Sequence, residues 1–387
     1  MTAQDPGRPI QHARRALAQT LLGAPLPQML AGAEGLALAR REGVLPLLEA
    51  ALRASPQWPE LPQEFTRELQ EEVRRAIGLD LYRRHELARV AAALADAGVR
   101  ALLLKGNALG LWLYPQPYLR VTRDIDLLLT SRAEIERVVE LLAPLGYTAE
   151  PDPGRFFFER KCQMKVAGHN RCELDLHRRL LNAPLFAEAL SFDLLWSQSR
   201  PLPGLPDGIR GLSPAHALLH ACLNRVLDIQ TGEPQRLKLL LDVHLLAERL
   251  EAGHWVELVG QARASRIAGG CLRVFDETSA LFDTRFPADV LEDLRRFAAS
   301  EALDWTRLAD WRYMQWRNFL AVPGWGARLC WVWERLFPTR SRLLGRRNRY
   351  GEGHWLLLLL RRLAYGIRRL HKNEHTGRPG ASDGVIE

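Results

Sequence analysis

The stretch KGNALGLWLYPQPYLRVTRDIDLLL, residues 105–129, decides how the rest of the chain is read. It follows the apolar run VRALLL with Lys105-Gly106, then sets Asp124 and Asp126 one residue apart inside a second apolar run. Charges in such a run are unfavourable to bury unless something pairs with them, so the two aspartates need a partner. VRALLLKG, short, apolar and bounded by Gly, has the pattern of a buried strand. NALGLWLY predicts a brief helix stopped by PQP, and DIDLLLT predicts a second strand. Alternation along that strand places Asp124 and Asp126 on one face at its start.

Downstream, SRAEIERVVELLAPLG opens with Ser131 and Glu134 at capping-box spacing and reads as a helix ending at Gly146. RFFFERKCQMKVAG and RCELDLHRRLL predict two further strands joined at Gly168-His169-Asn170. Residues 99–182 therefore read β-α-β-α-β-β, a small mixed sheet with helices on one side. Residues 10–98 show helical apolar spacing interrupted by Pro and Gly. Helices return at Ser213-Pro214, an N-cap followed by Pro at the first helical position. The expected fold class is α+β with four parts: an N-terminal helical region (1–98), the sheet-bearing core (99–182), a C-terminal helical domain (183–334) and a basic amphipathic tail (335–387).

At 387 residues the chain exceeds one usual domain, and its 47% apolar and 25% charged content is ordinary for a soluble globular protein. The N-terminus has no apolar core behind a basic start, and no apolar run approaches the roughly 20 residues that span a bilayer. A cytoplasmic protein is expected. Five scattered cysteines without C-x-x-C spacing argue against a disulfide framework or a zinc ribbon. The net charge of +8 is uneven: between Arg335 and Lys372 eleven Arg or Lys face one acid, Glu352, so that segment carries +10 and the remainder about −2. Such a tail suits an anionic membrane surface, with Trp355, Leu356 to Leu360, Leu363 and Ile367 buried, which would make the protein peripheral to the membrane. Its arginines also suit a polyanion, and a solvated end is the plain alternative. Few aromatics are spaced for stacking on bases, which favours the membrane or a protein partner over nucleic acid.

The segment CELDLHRR repeats the acidic device, with Glu173, Asp175 and His177 on one strand face. Carboxylate oxygens suit a hard divalent cation, magnesium first and manganese second. Three carboxylates on adjacent strands can hold two such ions over a triphosphate, lower the pKa of an attacking hydroxyl and neutralise the leaving phosphate. Gly106 and the next amide, at Asn107, open a helix where N–H groups point at an anion, and Lys105, Arg120 and Arg123 add positive charge against phosphates. His216 and His220 lie at i, i+4 with Cys222 nearby, but no third ligand is evident and a packed helix is the simpler reading. Lys238 and Asp242, also at i, i+4, predict a helix-surface or interdomain ion pair, with a role in nucleotide binding as the alternative.

Taken in order, LLLKGNALGLWLYPQPYLRVTRDIDLLL, ELDLHRRL and RLKLLLDVHLL resemble the uncharacterised nucleotidyltransferase family of the DNA polymerase β superfamily, over about residues 85–250. The signature of that superfamily is a Gly-containing turn and helix, then D-x-D on a strand, then a third carboxylate on a later strand. The resemblance implies a polymerase β-like core, with the turn at Lys105-Gly106, the metal pair at Asp124 and Asp126, and the third carboxylate at Asp175 rather than Glu173. It further implies Mg2+-dependent transfer of a nucleoside monophosphate from an NTP such as ATP to a hydroxyl acceptor, with release of pyrophosphate. The chain carries Lys-Gly-Asn where the superfamily usually has Gly-Ser or Gly-Gly. Two alternatives stand beside this reading: a glycosyltransferase whose D-x-D holds the metal of a nucleotide-sugar, and an inactive nucleotide-binding scaffold tethered by its tail.

Overall fold

The computed structural model describes residues 8–337 apart from Pro153, Ala167, Gly168 and Pro234. The amphipathic reading of the tail beyond residue 337 lies outside the described residues. Four helices come first: α1 (Arg8–Leu21), α2 (Ala33–Glu42), α3 (Leu45–Arg53) and the 34-residue α4 (Gln63–Asp96). Gly43, at φ 74°, takes the left-handed turn that separates α2 from α3, and its N–H returns to the carbonyls of Ala39 and Arg40.

The centre follows as β1 (Ala101–Leu103), α5 (Lys105–Trp112), β2 (Ile125–Leu128), α6 (Arg132–Leu142), β3 (Tyr147–Ala149), β4 (Glu159–Val166) and β5 (His169–His177), the expected order with one strand more, β3. Ser131 caps α6 as its spacing predicts, accepting from the Glu134 amide. After α7 (Phe192–Ser197), two short strands, β6 (Arg200–Pro201) and β7 (Ile209–Gly211), return to the sheet. Its order is β3-β4-β5-β2-β1-β7-β6, parallel at β5/β2 and β1/β7 and antiparallel elsewhere. The sheet therefore reaches past residue 182, where the core was expected to end. The segment that carries β6 and β7, RPLPGLPDGIRG, is rich in Pro and Gly and shows no strand alternation.

The C-terminal helices are α8 (Pro214–Thr231), α9 (Leu237–Ala247), α10 (Ala252–Ala264), α11 (Ala268–Phe282), α12 (Ala288–Ala298), α13 (Trp311–Ala321) and α14 (Trp325–Leu336). Ser213 caps α8 through the His216 amide, with Pro214 at the first position. Apolar side chains cover both faces of the sheet, correcting the expectation of helices on one side. Ala101, Leu103, Ile125, Leu127, Leu174 and Leu176 pack with the second half of α4 (Leu87, Val90, Leu94) and with α6 (Ile135, Val138). On the other face Leu102, Leu104 and Leu128 join one apolar core with the first half of α4 and with α1, α8, α9 and α11. The N-terminal and C-terminal helices thus share a core, and the face they cover is the one that carries the acids.

Candidate metal centre

Strand pairing brings the acids together. In the parallel β2/β5 pair, Asp126 lies level with Asp175 and Leu128 with His177. Asp126, Asp175 and His177 are all buried, and one ligand atom from each lies within 4.8 Å of the others. His177 Nε2 sits 2.9 Å from Asp126 Oδ1. Two carboxylates and an imidazole on two neighbouring strands thus offer O, O and N donors that could hold a metal ion.

Two lysines neutralise these acids. Lys105 donates its Nζ to Asp126 Oδ1 at 2.6 Å, and Lys161, opposite Asp175 on β4, donates to its two oxygens at 2.7 and 2.9 Å. Lys161 also reaches Glu159 at 3.1 Å. Burial alone would raise the Asp126 pKa, yet Lys105 and then His177 hold it well below the usual carboxylate range. Asp175 goes the other way: burial and then the neighbouring Glu159 push it up to about 7 against the pull of Lys161. The two neighbouring carboxylates are thus shifted in opposite directions by their partners.

The fit to a metal rests on atoms already in place. His177 Nδ1 is buried and makes no hydrogen bond, so its ring is held from one side only. The side chains of Lys105 and Lys161 are 35% and 22% exposed, so both are less sealed than the carboxylates they pair with. His220, from α8, backs the site; burial lowers its pKa to about 3, with Lys105, Asp126 and His177 among the charges it senses.

The turn before α5 has the expected form with an unexpected residue. Lys105 takes φ 53°, a left-handed conformation that disfavours side chains by roughly 1–2 kcal/mol. Its ion pair with Asp126 ties it there. Leu104 offers no side-chain cap, so the first-turn amides of α5 have no side-chain acceptor. Gly106 is required by space: a Cβ there would lie 2.6 Å from Thr122 Cγ2 and 2.8 Å from Arg120 Nη1.

The other predicted residues fall in different places. Asp124, two residues before Asp126, is half-buried and is not one of the three residues brought to ligand distance. Glu173 accepts from Gln163 Nε2 at 3.2 Å, while Asp175 lies level with Asp126. The Asn107 side chain braces the loop ahead of β2, donating to the Asp124 carbonyl. Arg123 is exposed. Arg120, expected to face phosphates, is instead 5% exposed and gripped by Asp242, with Nε 2.8 Å from Oδ1 and Nη2 2.6 Å from Oδ2. Tyr114 donates to the same carboxylate at 2.7 Å, and Arg120 Nη1 donates to the Val121 carbonyl.

The predicted Lys238–Asp242 pair gives way to this cluster. Lys238 donates to the Val121 carbonyl, and burial followed by the nearby Arg120 pushes its pKa down to about 7. His216 and His220 lie in the packed face of α8, with His216 Nε2 3.6 Å from Glu257 Oε1. The sequence reading missed Lys161 and Glu159, and it undervalued His177. The signal was present in the alternation of E-R-K-C-Q on β4, but only the pairing of β4 with β5 shows which acids that face meets.

Paired carboxylates and an imidazole on adjacent parallel strands, beside a helix start with no side-chain cap, form a group that could hold a metal ion. Residues 33–283, from the start of α2 to just past the end of α11, match the model of the family described as "Uncharacterised nucleotidyltransferase", and the chain belongs to that family. No curated protein sequence matches the chain.

Proposed function

We propose that the protein transfers a nucleoside monophosphate from an NTP to a hydroxyl acceptor. The acceptor oxygen forms a bond to the α-phosphorus, the bond to the β-phosphate oxygen breaks, and pyrophosphate leaves. The observation that carries the reading is the register that sets Asp126 beside Asp175, with His177 within ligand distance, in a nucleotidyltransferase family member. Asp126, Asp175 and His177 would hold a divalent ion, Mg2+ or, given the imidazole, Mn2+. Asp124, two residues before Asp126, would be left for a second ion that arrives with the triphosphate. When bound, such ions neutralise phosphate charge and lower the pKa of the acceptor hydroxyl. The first-turn amides at Gly106 and Asn107 would receive a phosphate. Lys105, displaced from Asp126, would be within reach of the same anion, and Asp175, on the acceptor side of the ion, would favour loss of the hydroxyl proton through the metal it helps to hold.

One observation favours a second reading. Lys105 and Lys161 occupy the oxygens that a cation needs, the arrangement of an inactive scaffold in which ammonium groups replace the metal. The test is to incubate the protein with Mn2+ or Mg2+, a cell extract, and each NTP labelled at either the α- or the γ-phosphate. Label entering an acceptor from the α-position only, and lost in Asp126→Asn, supports nucleotidyl transfer. Transfer from the γ-position, or transfer unchanged in the variant, contradicts it. The scaffold reading predicts NTP binding with no transfer.

A further inference from the structure

Seven of the thirteen large apolar side chains exposed among the described residues fall between Trp316 and Phe337. On α14, Trp325, Leu329 and Trp333 follow one another at i, i+4, i+8 and are 71%, 66% and 64% exposed. That spacing lines one side of a helix. Trp316 and Leu320, also at i, i+4, extend the patch onto α13.

The opposite side of α14 is docked. Trp331 is buried with Phe156 and Val322, and Glu334 accepts the backbone N–H groups of Arg155 and Phe156 at 2.9 and 3.1 Å. Glu334 is the only acid on either helix, and it faces the body of the protein. Arg328 lies over the Trp325 ring at 5.2 Å, so the patch is edged with positive charge. In sequence, residues 311–372 hold fourteen Arg or Lys against Glu334 and Glu352.

We propose that the exposed face of α13 and α14 docks the protein on an anionic lipid bilayer. Tryptophan indoles, with an apolar body and a polar N–H, suit the headgroup boundary, and the adjoining arginines suit anionic headgroups. A second copy of the chain is disfavoured because Arg328 at the patch would meet its own counterpart, with no acid on that face to pair with it. Nucleic acid would use the arginines and the indoles, but Leu320, Leu329 and Leu336 offer it neither stacking nor hydrogen bonds. No helix among the described residues is long and apolar enough to cross a membrane, so the contact is with the surface. This inference is independent of the proposed chemistry.

The experiment is flotation of the full chain with vesicles of phosphatidylcholine alone or mixed with phosphatidylglycerol. The comparison is with the triple variant Trp325→Ser, Leu329→Ser, Trp333→Ser, whose three sites are exposed and whose melting temperature should match the wild type. The wild type should float with the mixed vesicles only and detach as salt is raised, and the variant should lose about tenfold in bound fraction. Equal flotation of wild type and variant overturns the proposal, leaving any binding to the tail alone. So does equal flotation with neutral and mixed vesicles, a wild-type dimer that the triple variant converts to monomer, or no flotation at all.

Discussion

Two carboxylate–cation clusters meet at Gly106, and they are built to opposite ends. In the first, Arg120 is locked to Asp242, Tyr114 closes on the same carboxylate, and the remaining guanidinium nitrogen donates to the Val121 carbonyl. Arg120 and Asp242 are 5% and 3% exposed, and the cluster is sealed and satisfied. In the second, Asp126 and Asp175 are equally buried, but their partners Lys105 and Lys161 lead out to solvent and His177 Nδ1 is left without a partner. The same kind of pairing is sealed in one place and partly open to solvent in the other, where the proposed function makes it an exchangeable cover. What separates them is whether the cation has a route to water.

The largest effect that should follow is on stability. Asp242→Ala leaves Arg120 buried without a counter-charge and should destabilise the fold by about 3–5 kcal/mol. Asp126→Asn, equally buried, should change stability by only about 1 kcal/mol, because Lys105 can turn to solvent. Urea unfolding of the two variants reads both, and a larger loss for Asp126→Asn breaks the comparison.

The next effect concerns the exchangeable cover. Lys105→Met removes the ammonium that competes for Asp126, so Mn2+ affinity should rise by roughly tenfold, the scale of one nearby charge. NTP affinity measured at saturating Mn2+ should fall. Titration calorimetry showing both affinities falling together would mean that Lys105 only holds the fold.

A third effect is a pH slope in the sealed region. The Lys238 pKa of about 7 lies below its ordinary value of 10.5. Between those values the unfolded chain binds more protons than the native one, so this residue makes stability rise with pH. Its unfavourable contribution is fully present below about pH 7 and fades as pH approaches 10.5. The stability of Lys238→Met relative to wild type should therefore be greatest at low pH and shrink as pH rises. A difference independent of pH contradicts the assignment.

What could be read in the sequence follows from distance along the chain. The shared face of Glu173, Asp175 and His177, the caps at Ser131 and Ser213, and the turn at Lys105-Gly106 are local features, set by two- or four-residue periods. That Asp126 stands beside Asp175 depends on β5 inserting next to β2, which no local pattern states. Arg120 and Asp242 lie 122 residues apart, so Arg120 looked like a free cation beside a phosphate turn. Lys161 was hidden for the same reason, because its role is set by the strand opposite. The sequence also placed helices on one face of the sheet, since it does not show that α4 is long enough to serve both apolar cores.

The central claim is that Asp126, Asp175 and His177 together hold a divalent ion. Electron paramagnetic resonance of bound Mn2+, with spin-echo modulation from nitrogen, tests it most directly. Wild type should bind Mn2+ with a histidine nitrogen coupling, His177→Gln should lose that coupling while retaining weaker binding, and Asp126→Asn should lose most of the bound ion. Mn2+ bound with no nitrogen coupling in the wild type, or bound equally by Asp126→Asn, would contradict the account.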